Sequence, residues 1–145
     1  MKDALSCLVK RHFLGASMLA ITSIYAALIA FVFIWLSARV IVYRRKNLIS
    51  MGDHGDNSLL KRMRAQGNCA EYAPFGILLL ALVEMSGAPL IAVHFLGGML
   101  VLGRIVHAWG FSASPPVMQG RVLGMVLTLS MILLSALGSL FHGLF

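Results

Sequence analysis

The sequence predicts an all-α fold: an integral membrane four-helix bundle. Three observations carry that expectation. Hydrophobic residues make up 59% of the 145-residue chain and charged residues only 12%, with a mean hydropathy of +0.88. That is too little charge to cover a soluble domain of this size. The apolar residues also fall in long runs. Residues 13–38 carry no charge, and residues 122–145 carry none apart from the titratable His142. Each run exceeds the roughly 20 helical residues that cross a hydrocarbon core of about 30 Å. Finally, the connections between runs are short, which favours antiparallel neighbours in one small domain.

The first span is expected at about residues 17–43 and ends in "RRK", Arg44, Arg45 and Lys46. Lys2, Lys10 and Arg11 precede it as in a signal peptide, but the apolar run is too long for an h-region, so a retained span is expected. The loop "NLISMGDHGDNS" follows, rich in Gly, Asp and Asn. The second span is expected at 59–85, the third at 90–111 and the fourth at 120–144, separated by "SGAP" and by the helix-breaking "SASPP".

The net charge of +7 does not point to nucleic acid, because the basic residues cluster between apolar runs. Arg39, Arg44, Arg45, Lys46, Lys61, Arg62 and Arg64 flank the first connection, and Arg104 and Arg121 flank the third. The positive-inside rule then expects both connections in the cytoplasm and both termini outside. Cys7 and Cys69 have no paired spacing and the histidines are dispersed, so neither a disulfide framework nor a metal site is expected.

The second span opens with an unusual concentration of polar residues. On a helix, positions 64, 68, 71, 75, 78 and 82 share one face, and they read Arg64, Asn68, Glu71, Phe75, Leu78 and Leu82. An ionisable residue in a span is costly and marks a functional site by default. The plainer alternative is a structural pair of Glu71 with Arg104 on the third span. Arg44, Arg104, His107, Phe111 and Arg121 come to the same depth. Each also has an ordinary reading: interfacial anchors for Arg44 and Arg121, a satisfied interface histidine for His107, a lipid contact for Phe111, interfacial polarity for Gln66 and Tyr72. Together they suit a small ligand with several charges, because arginines bind carboxylates and a carboxylate binds an amine. Glutathione fits that description, as do other such ligands.

The segment "RAQGNCAEYAP", residues 64–74, closely resembles the signature of the MAPEG family, the membrane-associated proteins in eicosanoid and glutathione metabolism: an arginine followed by N-x-x-E-x-x-P. "VIVYRR" at 40–45 is similar to the end of that family's first helix, and "RIVHAWGF" at 104–111 to its third-helix segment. The loop sequence and "GRIVHAWGFS" resemble bacterial members. The resemblance covers essentially the whole chain. It implies a homotrimer of four-helix subunits, located in a bacterial inner membrane, with glutathione as co-substrate held between neighbouring subunits near the cytoplasmic face. By position it implies that Arg44, Arg64, Gln66, Asn68, Glu71 and Tyr72 contact glutathione, that His107 lies at the same pocket, and that Arg121 stands near the sulfur as the catalytic group. Arg104 and Phe111 would have supporting roles. Phe111 stands where eicosanoid-forming members carry a tyrosine, so that hydroxyl is lost, and the match at Arg121 crosses a gap. Cys69 points about 100° away from Asn68, toward packing.

The implied activity is a glutathione-dependent transferase or peroxidase acting on hydrophobic or lipid-like electrophiles that arrive through the bilayer. The alternative is a non-enzymatic membrane protein that binds lipid or another ligand. A small multidrug-type transporter fits less well, because the first span has no charge before Arg39.

Overall fold

The computed structural model describes residues 19–113, 115 and 117–144. Four helices account for nearly all of them: α1 (Ala20–Lys46), α2 (Asn57–Met85), α3 (Leu90–Ser112) and α4 (Met118–Leu144). All four are long and apolar enough to cross a membrane. Phe31, Trp35, Leu78, Ile91, Phe95 and Leu133 are among many large apolar side chains left exposed. Lys2, Cys7, Lys10, Arg11 and the expected beginning of the first span at 17 lie outside the described residues.

The end of α2, the start of α3 and the end of α4 fall where expected, and the other ends differ by one to three residues. α1 continues to Lys46, because Arg44, Arg45 and Lys46 in its last turn suit the negative end of the helix dipole. It stops at Asn47, whose Nδ2 donates to the Tyr43 carbonyl at 2.9 Å. Leu48 then takes φ +56°. α2 begins at Asn57 rather than 59, because Asp56 caps it, accepting from the N–H of Ser58 at 2.7 Å and of Leu59 at 3.1 Å. The other Asp56 oxygen accepts from the Tyr43 hydroxyl at 2.8 Å, which ties α1 to α2. That hydroxyl, then the Leu59 N–H, hold the Asp56 carboxyl below the ordinary carboxylate range. A depressed carboxylate stabilises above its unfolded pKa, so the tie holds at neutral pH and is lost as acidification passes the lowered value. α3 runs one residue past 111. α4 starts at Met118 rather than 120, since the chain re-enters a helical bond (Arg121 N–H to Val117 carbonyl, 3.3 Å) directly after the proline pair.

The start of α1 is held from a distance. The Glu84 carboxylate, near the end of α2, accepts from the N–H of Ile21 at 3.0 Å and of Thr22 at 2.7 Å. It satisfies two of the four orphan donors of that helix end and complements its positive dipole. Nearby, the Tyr25 hydroxyl donates to the His94 carbonyl at 3.0 Å.

The packing is a flattened bundle in which the α2–α3 pair forms the short diagonal. α2 and α3 pack on each other; α1 packs against both, and α4 packs against both, most extensively on α3. α1 and α4 therefore lie on opposite sides of the α2–α3 pair. Leu36, Leu80, Val93, Leu100 and Met131 fill the core between them. The α3–α4 seam is very close. A Cβ on Gly124 would lie 2.5 Å from the His107 backbone nitrogen and 2.6 Å from the Gly103 carbonyl oxygen, so only a hydrogen fits there.

Two outcomes follow. Gly124→Ala forces α3 and α4 apart and should cost about 1–3 kcal/mol, the usual penalty for overpacking. Glu84→Ala strands the Ile21 and Thr22 donors and should cost about 1–2 kcal/mol, as for other lost caps. Thermal unfolding in detergent checks both, and an unchanged midpoint for Glu84→Ala would mean that water replaces the carboxylate freely.

Candidate functional site

All the arginines expected at the site fall at one end of the bundle, where α1 ends, α2 begins, α3 ends and α4 begins. A cleft of about 590 Å³ opens there on the α2–α4 side, lined by Met63, Arg64, Asn68, Glu71, Phe111 and Arg121, with Leu60 and Gly67. α2 supplies Leu60, Arg64, Gly67 and Glu71 at helical spacing. The face expected from the sequence is a single exposed stripe: Arg64 and Glu71 are exposed, and Phe75, Leu78 and Leu82 continue it with 52%, 55% and 45% exposure. Glu71 is the middle residue of α2.

Arg121 enters from the first turn of α4. Its guanidinium carbon lies 3.8 Å from the centre of the Phe111 ring, a cation–π contact that positions it. Phe111 in turn packs on His107, ring centres 5.1 Å apart. The Nε of Arg121 is buried with no hydrogen-bond partner among the described residues, and so is Nη1 of Arg44.

Behind the cleft sits Arg104, only 1% exposed. Its Nε donates to Thr128 Oγ1 at 3.0 Å and its Nη2 to the same oxygen at 2.6 Å, with the Gly124 carbonyl at 3.4 Å. Its Nη1 donates to Asn68 Oδ1 at 2.7 Å. The alternative pairing of Arg104 with Glu71 is thereby corrected: the buried guanidinium takes neutral acceptors from α2 and α4, and Glu71 stays in the cleft. An arginine has only donors, so it fixes the Asn68 amide with its oxygen inward and leaves the NH₂ end as a donor.

Five of the sequence-derived residues thus meet in one lining: Arg64, Asn68, Glu71, Phe111 and Arg121. Others do not line it. His107, expected at the pocket, is 4% exposed and stands behind Phe111. Arg44 stands behind Met63, its Nη2 3.2 Å from the thioether sulfur. Tyr72 lies toward Arg104, 5.7 Å from ring centre to guanidinium carbon. Gln66, half-buried, is about 200° around α2 from Arg64 at 100° per residue. Cys69 is 3% exposed and packs in the core, as its rotation implied. Met63 and Gly67 line the cleft without having been anticipated, although Gly67 falls three residues from Arg64 on the same face. Thr128 gave no signal: it is one hydroxyl in an uncharged run.

Four antiparallel apolar helices with a cationic cleft at one end define a small membrane-type bundle that presents charge beside an apolar surface. The MAPEG family model matches residues 22–141, and the chain belongs to that family. It is also similar to Inner membrane protein YecN of Escherichia coli K12, 33% identical over 122 residues, covering 84% of this chain and 92% of that protein. The same protein of Escherichia coli O6:H1 matches with the same identity and coverage.

Thr128→Val removes the shared acceptor of two Arg104 bonds while keeping the shape. Leaving a buried charged donor unsatisfied should cost about 1–3 kcal/mol, read as a lower unfolding midpoint in detergent, with Thr128→Ser restoring it. Full stability in Thr128→Val would show that Asn68 and the Gly124 carbonyl suffice.

Proposed function

We propose that the chain is a glutathione-dependent membrane transferase or peroxidase acting on hydrophobic electrophiles. The observation that carries this reading is the lining itself. Arg64 and Arg121 stand with one carboxylate, Glu71, and one oriented carboxamide, Asn68, while Arg121 Nε and Arg44 Nη1 are buried without acceptors. Buried donors of this kind call for an anion. Glutathione brings two carboxylates for the other arginines, an ammonium for Glu71 and a thiol whose ionised form suits Arg121. Family membership supports the same ligand.

A homotrimer with sites between subunits accounts for two further features. Glu71 is exposed halfway along an apolar helix, where contact with hydrocarbon is costly. Gln66 points away from Arg64, so it would serve a neighbouring subunit's cleft, with Arg44 and Tyr72 completing the set. The similarity to an inner membrane protein and the basic end of the bundle support an inner-membrane location with this cleft at the cytoplasmic face and both termini outside.

In this reading the chain's task is to ionise the thiol. A thiol of ordinary pKa, about 8.5, is roughly 3% thiolate at pH 7, and the thiolate is the nucleophile. Arg121 is held by Phe111 with a free Nε, and an adjacent cation favours the ionised form. A shift of two units needs about 2.7 kcal/mol. The proton leaves to solvent. In the transferase reaction the sulfur then attacks the electrophilic carbon, a C–S bond forms, and the leaving group departs with the bonding pair.

Calorimetry with glutathione on detergent-purified protein tests the binding set. Glu71→Gln and Arg64→Ala should each weaken binding about tenfold or more, the value of a charge-assisted hydrogen bond, with the unfolding midpoint unchanged. Arg121→Ala should retain affinity but lose most turnover and raise the bound thiol's pKa, followed by thiolate absorbance against pH. Binding without turnover in wild-type protein, across model electrophiles and a lipid hydroperoxide, would assign the chain instead to ligand binding without catalysis.

A further inference from the structure

The side of the bundle away from the glutathione cleft carries a second, differently built groove. It follows the α1–α3 seam, with a volume of about 820 Å³ and walls from Phe31, Val32, Trp35, Ile105, Ala108 and Trp109. From Phe31 to Arg39 it runs roughly 12 Å along α1 at 1.5 Å per residue, most of the hydrocarbon depth of one leaflet, about 15 Å. At its basic end stands Arg39, whose guanidinium carbon lies 4.8 Å from the centre of the Trp35 ring and which donates to the Ser112 hydroxyl. Two polar clefts open from that arginine. One is lined by Lys61 and Arg62 of α2, the other by Lys46 and Arg62. Among the described residues, no carboxylate lines any of the three.

We propose that this groove is a binding site for an anionic phospholipid, with an acyl chain along the Trp35–Trp109 walls and the phosphate at Arg39, Lys61 and Arg62. The apolar part lies at acyl-chain depth, and the cations lie at the end where a headgroup belongs. Basic pockets between membrane helices hold anionic headgroups by this charge match, and guanidinium forks suit phosphate oxygens. A neutral zwitterionic lipid would bring its own ammonium against three cations. The site is separate from the glutathione cleft: α1 and α4 are on opposite sides of the α2–α3 pair, and the polar ends of the two share no lining residue other than Phe111. It does not depend on the chain binding glutathione.

The molecule supplies its own probe, because its two tryptophans, Trp35 and Trp109, both line the groove. The full chain is reconstituted in phosphatidylcholine vesicles containing equal, low mole fractions of either brominated phosphatidylglycerol or brominated phosphatidylcholine, and tryptophan quenching is measured. The anionic quencher should be preferred. Arg39→Gln and, independently, Arg62→Gln should each reduce the preference about fivefold, the effect of one cation near a lipid headgroup. Arg45→Gln removes an exposed charge of the same end outside the groove and should leave the preference intact. Equal quenching by the two lipids overturns the proposal. So does an equal loss in Arg45→Gln, which would mean diffuse surface charge. Absence of quenching by either lipid would mean that another protein chain covers the seam, and it overturns the proposal too.

Discussion

A guanidinium keeps its charge in any surroundings, and this bundle buries one. Arg104 has 1% exposure and no carboxylate among its hydrogen-bond partners. Its burial is tolerable only if its donors find acceptors, and here those acceptors are neutral. That requirement brings α4 close enough for Thr128 and the Gly124 carbonyl to reach it, which in turn demands bare backbone at Gly103 and Gly124. It also draws the Asn68 oxygen inward and so sets which end of that amide faces the cleft. One buried cation therefore links α2, α3 and α4, and it sets the geometry of a neighbouring residue that lines the cleft.

The four spans were legible because a hydrocarbon core imposes a minimum run of apolar residues, and no packing detail alters that. Their ends were less legible because caps decide them. Asp56 moves the start of α2, and the cationic tail of α1 carries it to Lys46. The stripe of Arg64, Asn68 and Glu71 was legible from helical period alone. The partner of Arg104 was not. Charge complementarity suggested Glu71, whereas Thr128 supplies the acceptor, and neither charge nor periodicity distinguishes one threonine in an apolar helix. The Glu84 cap is hidden for a related reason: more than sixty residues separate it from Ile21 and Thr22, so only the packed bundle brings them together.

His107 shows how matching in sequence and lining in space can part. It follows Arg104 by three residues and Phe111 follows it by four, so all three share a face of α3. On that face the deeper residues pack against α4, and only the last, at the helix end, emerges into the cleft. Phe111 has no hydroxyl to offer a ligand. What it offers is a π-face, and Arg121 lies on it. The ring at this position thus places a cation.

The central place of the α2–α3 pair bears on why the apolar second span carries polar residues. With α1 and α4 on opposite sides of the α2–α3 pair, the outer stripe of α2 is left uncovered from Arg64 to Leu82. A helix facing only lipid would fill that stripe with apolar residues. Here its deeper half, Phe75, Leu78 and Leu82, suits lipid or another helix, while its polar half carries ionisable groups that hydrocarbon would penalise. The two halves are compatible in one membrane only if something polar meets Glu71 and Arg64 while something apolar meets the rest. In the proposed reading, a charged ligand bound against a second subunit is what satisfies both conditions.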